Sequence, residues 1–162
     1  MNETLIIPTE RPDVVLRQLT TPEDDQAYLD VFLAAYAGLN LALTAQDIQK
    51  ARLVAARQGQ LYVGIVEGEA VAGGLHIRRN CRQPNQGIIS YFLDPAFRRR
   101  GLATVAVRAA CTHTFAQGRY KSILGEVFHT NKKSKNVLGR AGFTAVSEGT
   151  VFKFELNAPA DL

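Results

Sequence analysis

The sequence predicts a single α/β domain of the α+β kind: one mixed, mostly antiparallel sheet with one parallel strand pair and helices on both faces. Three observations lead there. The elements read β-α-α-β-β-β-α-β-α-β-β, so three strand-like runs stand together before any crossover, and short turns make such strands antiparallel. One long helical run separates two apolar strand-like runs, which is the crossover that a parallel pair requires. No repeat, low-complexity block or linker interrupts the 162 residues, a length sufficient for one core.

Residues 1–13 read as an N-terminal extension, 14–156 as the domain and 157–162 as a frayed tail. Val14 to Thr20 alternates as a first strand. Thr21 is placed to cap a helix with Pro22 at its first position and acids in its first turn, and Gly38 to stop it. A second helix runs from Thr44 to Gly59 with Ile48, Ala51, Leu53 and Val54 as its apolar positions. "QLYVGIVEGEAVAGGLHIRR" is a strand, a Glu-Gly-Glu turn and a strand, "NCRQPNQG" a polar loop, and "IISYFLD" an apolar strand ended by Pro95. A helix follows from Gly101 to Ala116, with a stripe of mostly small residues at Leu102, Val105, Ala106, Ala109 and Ala116. "YKSILGEVF" is a strand, "NKKSKNVLGRAG" a short basic helix, and "FTAVSEGTVFKFEL" a strand pair about Glu148-Gly149.

Composition narrows the class. Apolar residues at 46% and charged ones at 21% are those of an ordinary soluble globular protein. No apolar run approaches the ~20 residues of a membrane span. The N-terminus has no basic region leading into a long apolar core, so it does not read as a signal peptide. Cys81 and Cys111 lack CxxC spacing and a His/Cys cluster, which predicts reduced thiols, no metal site and a cytoplasmic protein. The net charge of +4 is local: Arg78, Arg79 and Arg82; Arg98, Arg99 and Arg100; Lys132, Lys133, Lys135 and Arg140. The first cluster reads as solubility, and for the other two phosphate binding competes with it.

The second cluster carries the sharper signal. A strand ending at Asp94-Pro95 and a helix beginning near Gly101 leave backbone N–H groups pointing out of the helix start, where the macrodipole also favours negative charge. Gly101 lets the backbone approach a ligand closely, and Ala103 adds little bulk. Three arginines oppose the dipole unless an anion sits among them. The GxxxxGK[ST] and GxGxxG patterns are both missing.

The spacing Arg98-x-x-Gly101-x-Ala103 after a strand resembles the Q/R-x-x-G-x-G/A signature of the GNAT superfamily of N-acetyltransferases. "GEVFHTNKKSKNVLGRAGF", Gly125 to Phe143, resembles that family's second signature, with Asn131 and Gly142-Phe143 at its fixed points. Together with element order, the resemblance covers nearly all of residues 14–156. It implies acetyl-CoA as cosubstrate, with backbone groups of Phe92 and Leu93 pairing with pantetheine between two splayed strands. It further implies that Arg98, Arg99, Arg100, Gly101, Leu102, Ala103 and Thr104 hold the phosphates. Asn131, with Ser134 or Asn136, would line the arm. The lysines of Lys132–Lys135 taken singly read as a solvated helix face.

Acetyl transfer to an amine requires loss of an amine proton, stabilisation of an oxyanion and neutralisation of a thiolate. An amine of pKa ~10.4 costs about 4–5 kcal/mol to deprotonate at neutral pH, an α-amine near 8 only ~1.4 kcal/mol. Glu126 is the leading base: in the ribosomal-protein N-terminal (Rim-type) acetyltransferases that the chain resembles, "LEVR..N" places a Glu where "GEVFHTN" does here. His129 and His76 are rivals by their ordinary pKa of about 6.5, and His113 reads as structural. Many family members carry a Tyr seven residues after the Asn. That position is Leu138, and no tyrosine follows Tyr120. Ser134, three residues after Asn131, matches the Ser of the Asn-x-x-Ser group and is the expected donor to the thiolate. That group's glutamates at about Ile88 and Val105 are absent.

The leading expectation is therefore an acetyl-CoA-dependent N-acetyltransferase acting by direct transfer in a ternary complex, since neither cysteine lies near the expected sulfur. The acceptor is an amine-bearing protein or small molecule, drawn by Glu23, Asp24, Asp25, Asp30 and Asp47 into a cleft near His76. Alternatives are a polyamine or aminoglycoside acetyltransferase and a non-catalytic acyl-CoA-sensing module. Nucleic-acid binding is disfavoured by the absence of tryptophan and the scarcity of aromatic residues among the basic ones. Membrane association is not expected, and sheet-edge pairing leaves a homodimer open.

Overall fold

A computed structural model describes residues 3–160. Its strands are β1 (Ile6–Pro8), β2 (Val14–Gln18), β3 (Leu61–Glu67), β4 (Ala70–Asn80), β5 (Gln83–Leu93), β6 (Ser122–Phe128), β7 (Thr144–Ser147) and β8 (Val151–Asn157). Its α-helices are α1 (Pro22–Ala35), α2 (Ala45–Arg57), α3 (Leu102–Ala116) and α4 (Lys132–Arg140), with a 3-10 turn at Pro95–Phe97. The strands form one sheet in the order β1-β2-β3-β4-β5-β6-β8-β7. Among the described residues only β5 and β6 pair in parallel, and α3 makes the crossover between them. The mixed α+β architecture expected from the sequence is the one observed.

Local chemistry fixes the helix starts. Thr21 and Thr44 each accept a hydrogen bond from the N–H three residues on, and Asp24 and Asp47 return the bond to the cap backbone. Pro22 occupies the first turn of α1, where its missing N–H costs nothing. The helix ends at Ala35, ahead of the expected Gly38, with Tyr36 as its C-cap.

The sheet has helices on both faces. The main core lies between the sheet and α3, and includes Leu16, Ile65, Leu75, Ile77, Val107 and Ile123. A smaller core under α1 and α2 contains Leu19, Tyr28, Leu29 and Ile48. Gly74 admits α1 to the sheet there: a Cβ on Gly74 would lie 2.4 Å from the Tyr28 ring.

Three expectations are corrected. The range 1–13 contains β1, which pairs antiparallel with β2, while positions 1–2 of that range and 161–162 of the tail lie outside the described residues. "NCRQPNQG" is mostly strand, because β4 and β5 continue across it and leave only Cys81 and Arg82 between them. The small-residue stripe of α3 is also rotated. Ala103, Ala106, Val107, Ala110 and Cys111 are buried with Leu102, and Ala116 is exposed. Among the described residues, no helix is long and apolar enough to cross a membrane.

Candidate active site

β5 and β6 are paired only from Gln86 to Ile88 and from Ser122 to Leu124. Beyond these positions the strands part, and a wedge opens between Ile89–Leu93 and Gly125–Phe128. Strand alternation decides which groups face it. The Asn85 carbonyl accepts from Lys121 N–H, on the β6 side, whereas Asp94 N–H donates to Ala72 on the opposite side. Tyr91 and Leu93 have the parity of Asn85, so their backbone N–H and C=O groups face the wedge.

Phe92 has the parity of Asp94 and turns its backbone to β4, where it is paired with Gly74. The backbone of Phe92, named in the expectation, is thus taken up by β4, and the open main-chain groups are those of Tyr91 and Leu93. Phe92 instead contributes its ring to a cluster with Tyr28, Phe32 and Tyr36, at centroid distances of 5.3, 5.1 and 6.1 Å.

The loop after β5 leads to a helix start unlike the others. Arg99 and Gly101 both adopt left-handed backbone, with φ of 68° and 77°. For Arg99 that conformation is strained, and such strain concentrates at ligand-binding turns. Gly101 is the N-cap of α3 and no side chain caps the helix. Nothing lies within 4 Å of where a Gly101 Cβ would be. Asn131 Oδ1 caps α4 by accepting from Ser134 N–H at 3.1 Å, so among the α-helices of the described residues α3 alone has no side-chain cap. Leu102 and Ala103 bury their side chains and Thr104 is half-buried, so this stretch meets solvent largely through its backbone.

The three arginines do different things. Arg98 reaches the Ala35 carbonyl at the end of α1, at 3.5 Å. Arg100 pairs with Glu67 at 2.8 Å and stacks over Phe97. Its carbonyl accepts from Arg11 at 2.7 Å, and Arg11 also faces Asp13 and Glu67. Among the described residues Arg99 makes no side-chain hydrogen bond or ion pair. Two of the three arginine side chains thus brace the loop, and Arg99 is left without a partner among the described residues.

On the far side of the wedge, α4 places Ser134 in its first turn. Ser134 Oγ lies 2.6 Å from the Tyr91 hydroxyl. The sequence pattern around Asn131 does not reveal this contact, because Tyr91 lies 43 residues before Ser134. The signal was present in β5, where Tyr91 shares its parity with Leu93. Burial raises the Tyr91 pKa above the ordinary phenol value. Leu138 is buried, and its Cδ1 lies 2.8 Å from where a Gly125 Cβ would be, so that position is filled by packing. Asn136 is exposed and two residues from Ser134, so it points away from it.

Gly125 meets Leu138 of α4, and Ile123 and Val127 belong to the main core. Glu126, of opposite parity, therefore projects to the α1–α2 face. It is exposed, lies in register with Lys153 of β8, and makes no ion pair among the described residues. His129 is exposed, its Nδ1 3.2 Å from the Thr150 carbonyl at the end of β6. His76 is half-buried on β4 with Nε2 2.7 Å from Gln60 Oε1. Burial first and Arg78 second lower its pKa to about 4. Burial also lowers His113 below the usual histidine value.

The acids expected to attract an amine are mostly engaged. Asp24 bonds Arg17 as well as closing its capping box, and Asp47 caps α2. Asp25 is buried and held by both nitrogens of the Arg52 fork at 2.6 and 3.0 Å. Asp30 accepts from Gln26. Glu23 is the exposed exception, with no partner among the described residues. Cys81 is exposed in the β4–β5 turn, and Cys111 is buried in α3 with its thiol pushed up to about 12 by desolvation.

Comparison with known proteins adds to this geometry. Residues 12–144 match the family described as the acetyltransferase (GNAT) domain. No curated protein matches by sequence. Among solved structures, a RimL ribosomal L7/L12 alpha-N-protein acetyltransferase in complex with coenzyme A superposes with a TM-score of 0.79 at 20% identity, over 97% of this chain and 100% of that one. A Salmonella typhimurium acetyl transferase that modifies the N-terminal serine of ribosomal protein L7/L12 gives 0.80 at 20% identity, over 96% and 100%. The microcin C7 self-immunity acetyltransferase MccE, with acetyl-CoA and AMP, gives 0.75 at 16% identity, over 91% and 93%. At these identities the likeness is one of fold.

Proposed function

This chain belongs to the acetyltransferase (GNAT) domain family, and on that premise we propose that it moves the acetyl group of acetyl-CoA to a primary amine of a protein, an N-terminal or lysine amine, by direct transfer in a ternary complex. The observation that carries the reading is the bare start of α3 beside the open edge of β5. Uncapped N–H groups of residues 101–104 suit a pyrophosphate, and the open space at Gly101 lets it approach. The N–H and C=O groups of Leu93 and Tyr91 suit the amides of the pantetheine arm, and Asn131, exposed at the start of α4 with its side-chain oxygen engaged by Ser134 N–H, keeps its amide hydrogens for the same arm. Acetyl-CoA supplies a thioester whose thiolate leaves readily.

The chain's own groups then divide by face. Glu126 stands on the α1–α2 side of the wedge, where an amine enters, and takes the amine proton directly or through water. Ser134 stands on the α4 side, where a thiolate departs, and gives it a hydrogen bond. Base and donor on opposite faces let the amine attack as the sulfur leaves. Cys111 is buried and held as a thiol, and Cys81 sits at the other end of β5, which supports direct transfer. With most nearby acids already paired, the surroundings favour an α-amine or lysine on a polypeptide over a polycation.

Acetyl-CoA binding by calorimetry, followed by turnover on N-terminal peptides, tests the reading. Gly101→Asp fills the open space with a negative charge and should reduce acetyl-CoA affinity by more than about tenfold. Glu126→Gln should keep that affinity and lose about 10²-fold or more in turnover. Affinity unmoved by Gly101→Asp would remove α3 from the phosphate site. Turnover unmoved by Glu126→Gln would remove the base.

A further inference from the structure

We propose that Tyr91 is a positioning residue for the leaving group: its phenol donates to Ser134 Oγ and so frees the Ser134 proton to face a thiolate in the wedge. The inference rests on acetyl-CoA being the acetyl donor. The two hydroxyls lie 2.6 Å apart with either able to donate, and the phenol's other acceptor, the Ser134 carbonyl, is much farther at 3.4 Å. Acidity decides between them. A phenol, with a pKa of about 10, is far more acidic than an aliphatic hydroxyl, so the phenol is the better donor and the serine oxygen the better acceptor. Burial raises the phenol further, which keeps its proton in place throughout the neutral range.

The rest of the local structure holds this arrangement. Ser134 is fixed by its own N–H bond to Asn131 Oδ1 at 3.1 Å. Tyr91 stands three residues beyond Ile88, the last β5 residue paired with β6. Its side chain therefore reaches from β5 to α4 across the wedge, on the face opposite Glu126. A donor chain of this kind strengthens its terminal bond, because each hydroxyl polarises the next. Leu138 is apolar and buried, so it supplies no such proton.

The proton balance closes without consuming the pair. The carbon–sulfur bond breaks with its electrons on sulfur, and the thiolate accepts the Ser134 hydrogen bond. It takes its proton from solvent on release, while the amine proton leaves by way of Glu126.

The test titrates the thiol of bound CoA by thiolate absorbance, with the desulfo-CoA complex subtracted, in wild type, Tyr91→Phe, Ser134→Ala and the double variant. Tyr91→Phe should lower the bound thiol's acid dissociation constant by about threefold to tenfold. Affinity for CoA at a pH where the thiol is protonated should stay within about twofold. Ser134→Ala should lower the constant at least as much, and the double variant no further. Incorporation of 3-fluorotyrosine at position 91, a stronger donor of the same shape, should shift the titration the opposite way and serves if Tyr91→Phe does not fold. A Tyr91→Phe titration equal to wild type, or one that adds in full to Ser134→Ala, would overturn the proposal. Wild-type protein that binds no CoA would overturn the acetyl-CoA reading itself, before any titration begins.

Discussion

At His76 burial and a neighbouring cation act in the same direction. Removing the ring from water disfavours its charged form, Arg78 disfavours it further, and the pKa falls to about 4. Because Gln60 Oε1 only accepts, the Nε2 that faces it at 2.7 Å carries the hydrogen of a neutral ring. A base this weak competes poorly with Glu126 for an ammonium proton. The same shift makes a stability prediction. The unfolded ring, with a pKa of about 6.5, binds more protons than the folded one between roughly pH 6.5 and 4, so stability should fall as pH drops through that window. After allowance for solvent screening of a half-buried ring, the loss attributable to His76 is of order 1 kcal/mol. Urea unfolding of wild type and His76→Gln at several pH values reads it directly: the variant should show a flatter slope. Equal slopes would mean that the ring titrates alike in the folded and unfolded protein. Such a shift is not legible in the sequence, where "GGLHIRR" gives no sign of Gln60 or of burial.

At the scale of elements, what was legible was local. Thr21 as a cap and Thr44 as a helix start are both legible because each capping box closes within four residues of chain, although the return bonds from Asp24 and Asp47 emerge only in the structure. β1 was missed because three residues carry too little alternation to register. The arginine loop was found, but not its division of labour, since Arg98, Arg100 and Arg11 meet partners 63, 33 and 89 residues away. That division singles out Arg99. Its left-handed backbone costs energy in an L-residue, and its guanidinium has no protein partner among the described residues. Arg99→Gly relieves the backbone and removes only the free charge. It should leave thermal stability unchanged or slightly raised, and lower CoA affinity by about fivefold at low salt, with the difference shrinking as salt rises. Calorimetry at two salt concentrations checks both halves. An unchanged affinity would show that the backbone amides hold the phosphates alone.

At the scale of the molecule, the candidate site exists because the sheet is pinned at one end and open at the other. The resemblance implied splayed strands, but the register of β5 on β4 and β6 was needed to show which groups line the opening. The pin is Gln86, buried at the closed end. Its amide nitrogen donates to Ser122 at 3.1 Å and Glu155 at 2.9 Å, and its oxygen accepts from Asn80 at 2.8 Å. One side chain thereby ties β4 and β5 to β6 and β8, across the shortest pairing in the middle of the sheet. Gln86→Leu keeps the volume but leaves three polar partners behind, at a cost of about 2–4 kcal/mol. The same change should weaken CoA binding at temperatures where the protein is still folded, because the wedge loses its fixed angle. Gln86→Glu separates charge from shape. It sets a second carboxylate beside Glu155, and two such groups in contact cannot both ionise freely. That variant should therefore be more destabilised than Gln86→Leu at neutral pH, and should recover part of the difference as pH falls and the pair holds a proton. Chemical denaturation at neutral and mildly acidic pH, paired with CoA affinity for each variant, decides it. If Gln86→Leu unfolds like wild type and binds CoA as well, the two halves of the sheet are held together by α3 and the backbone pairing alone.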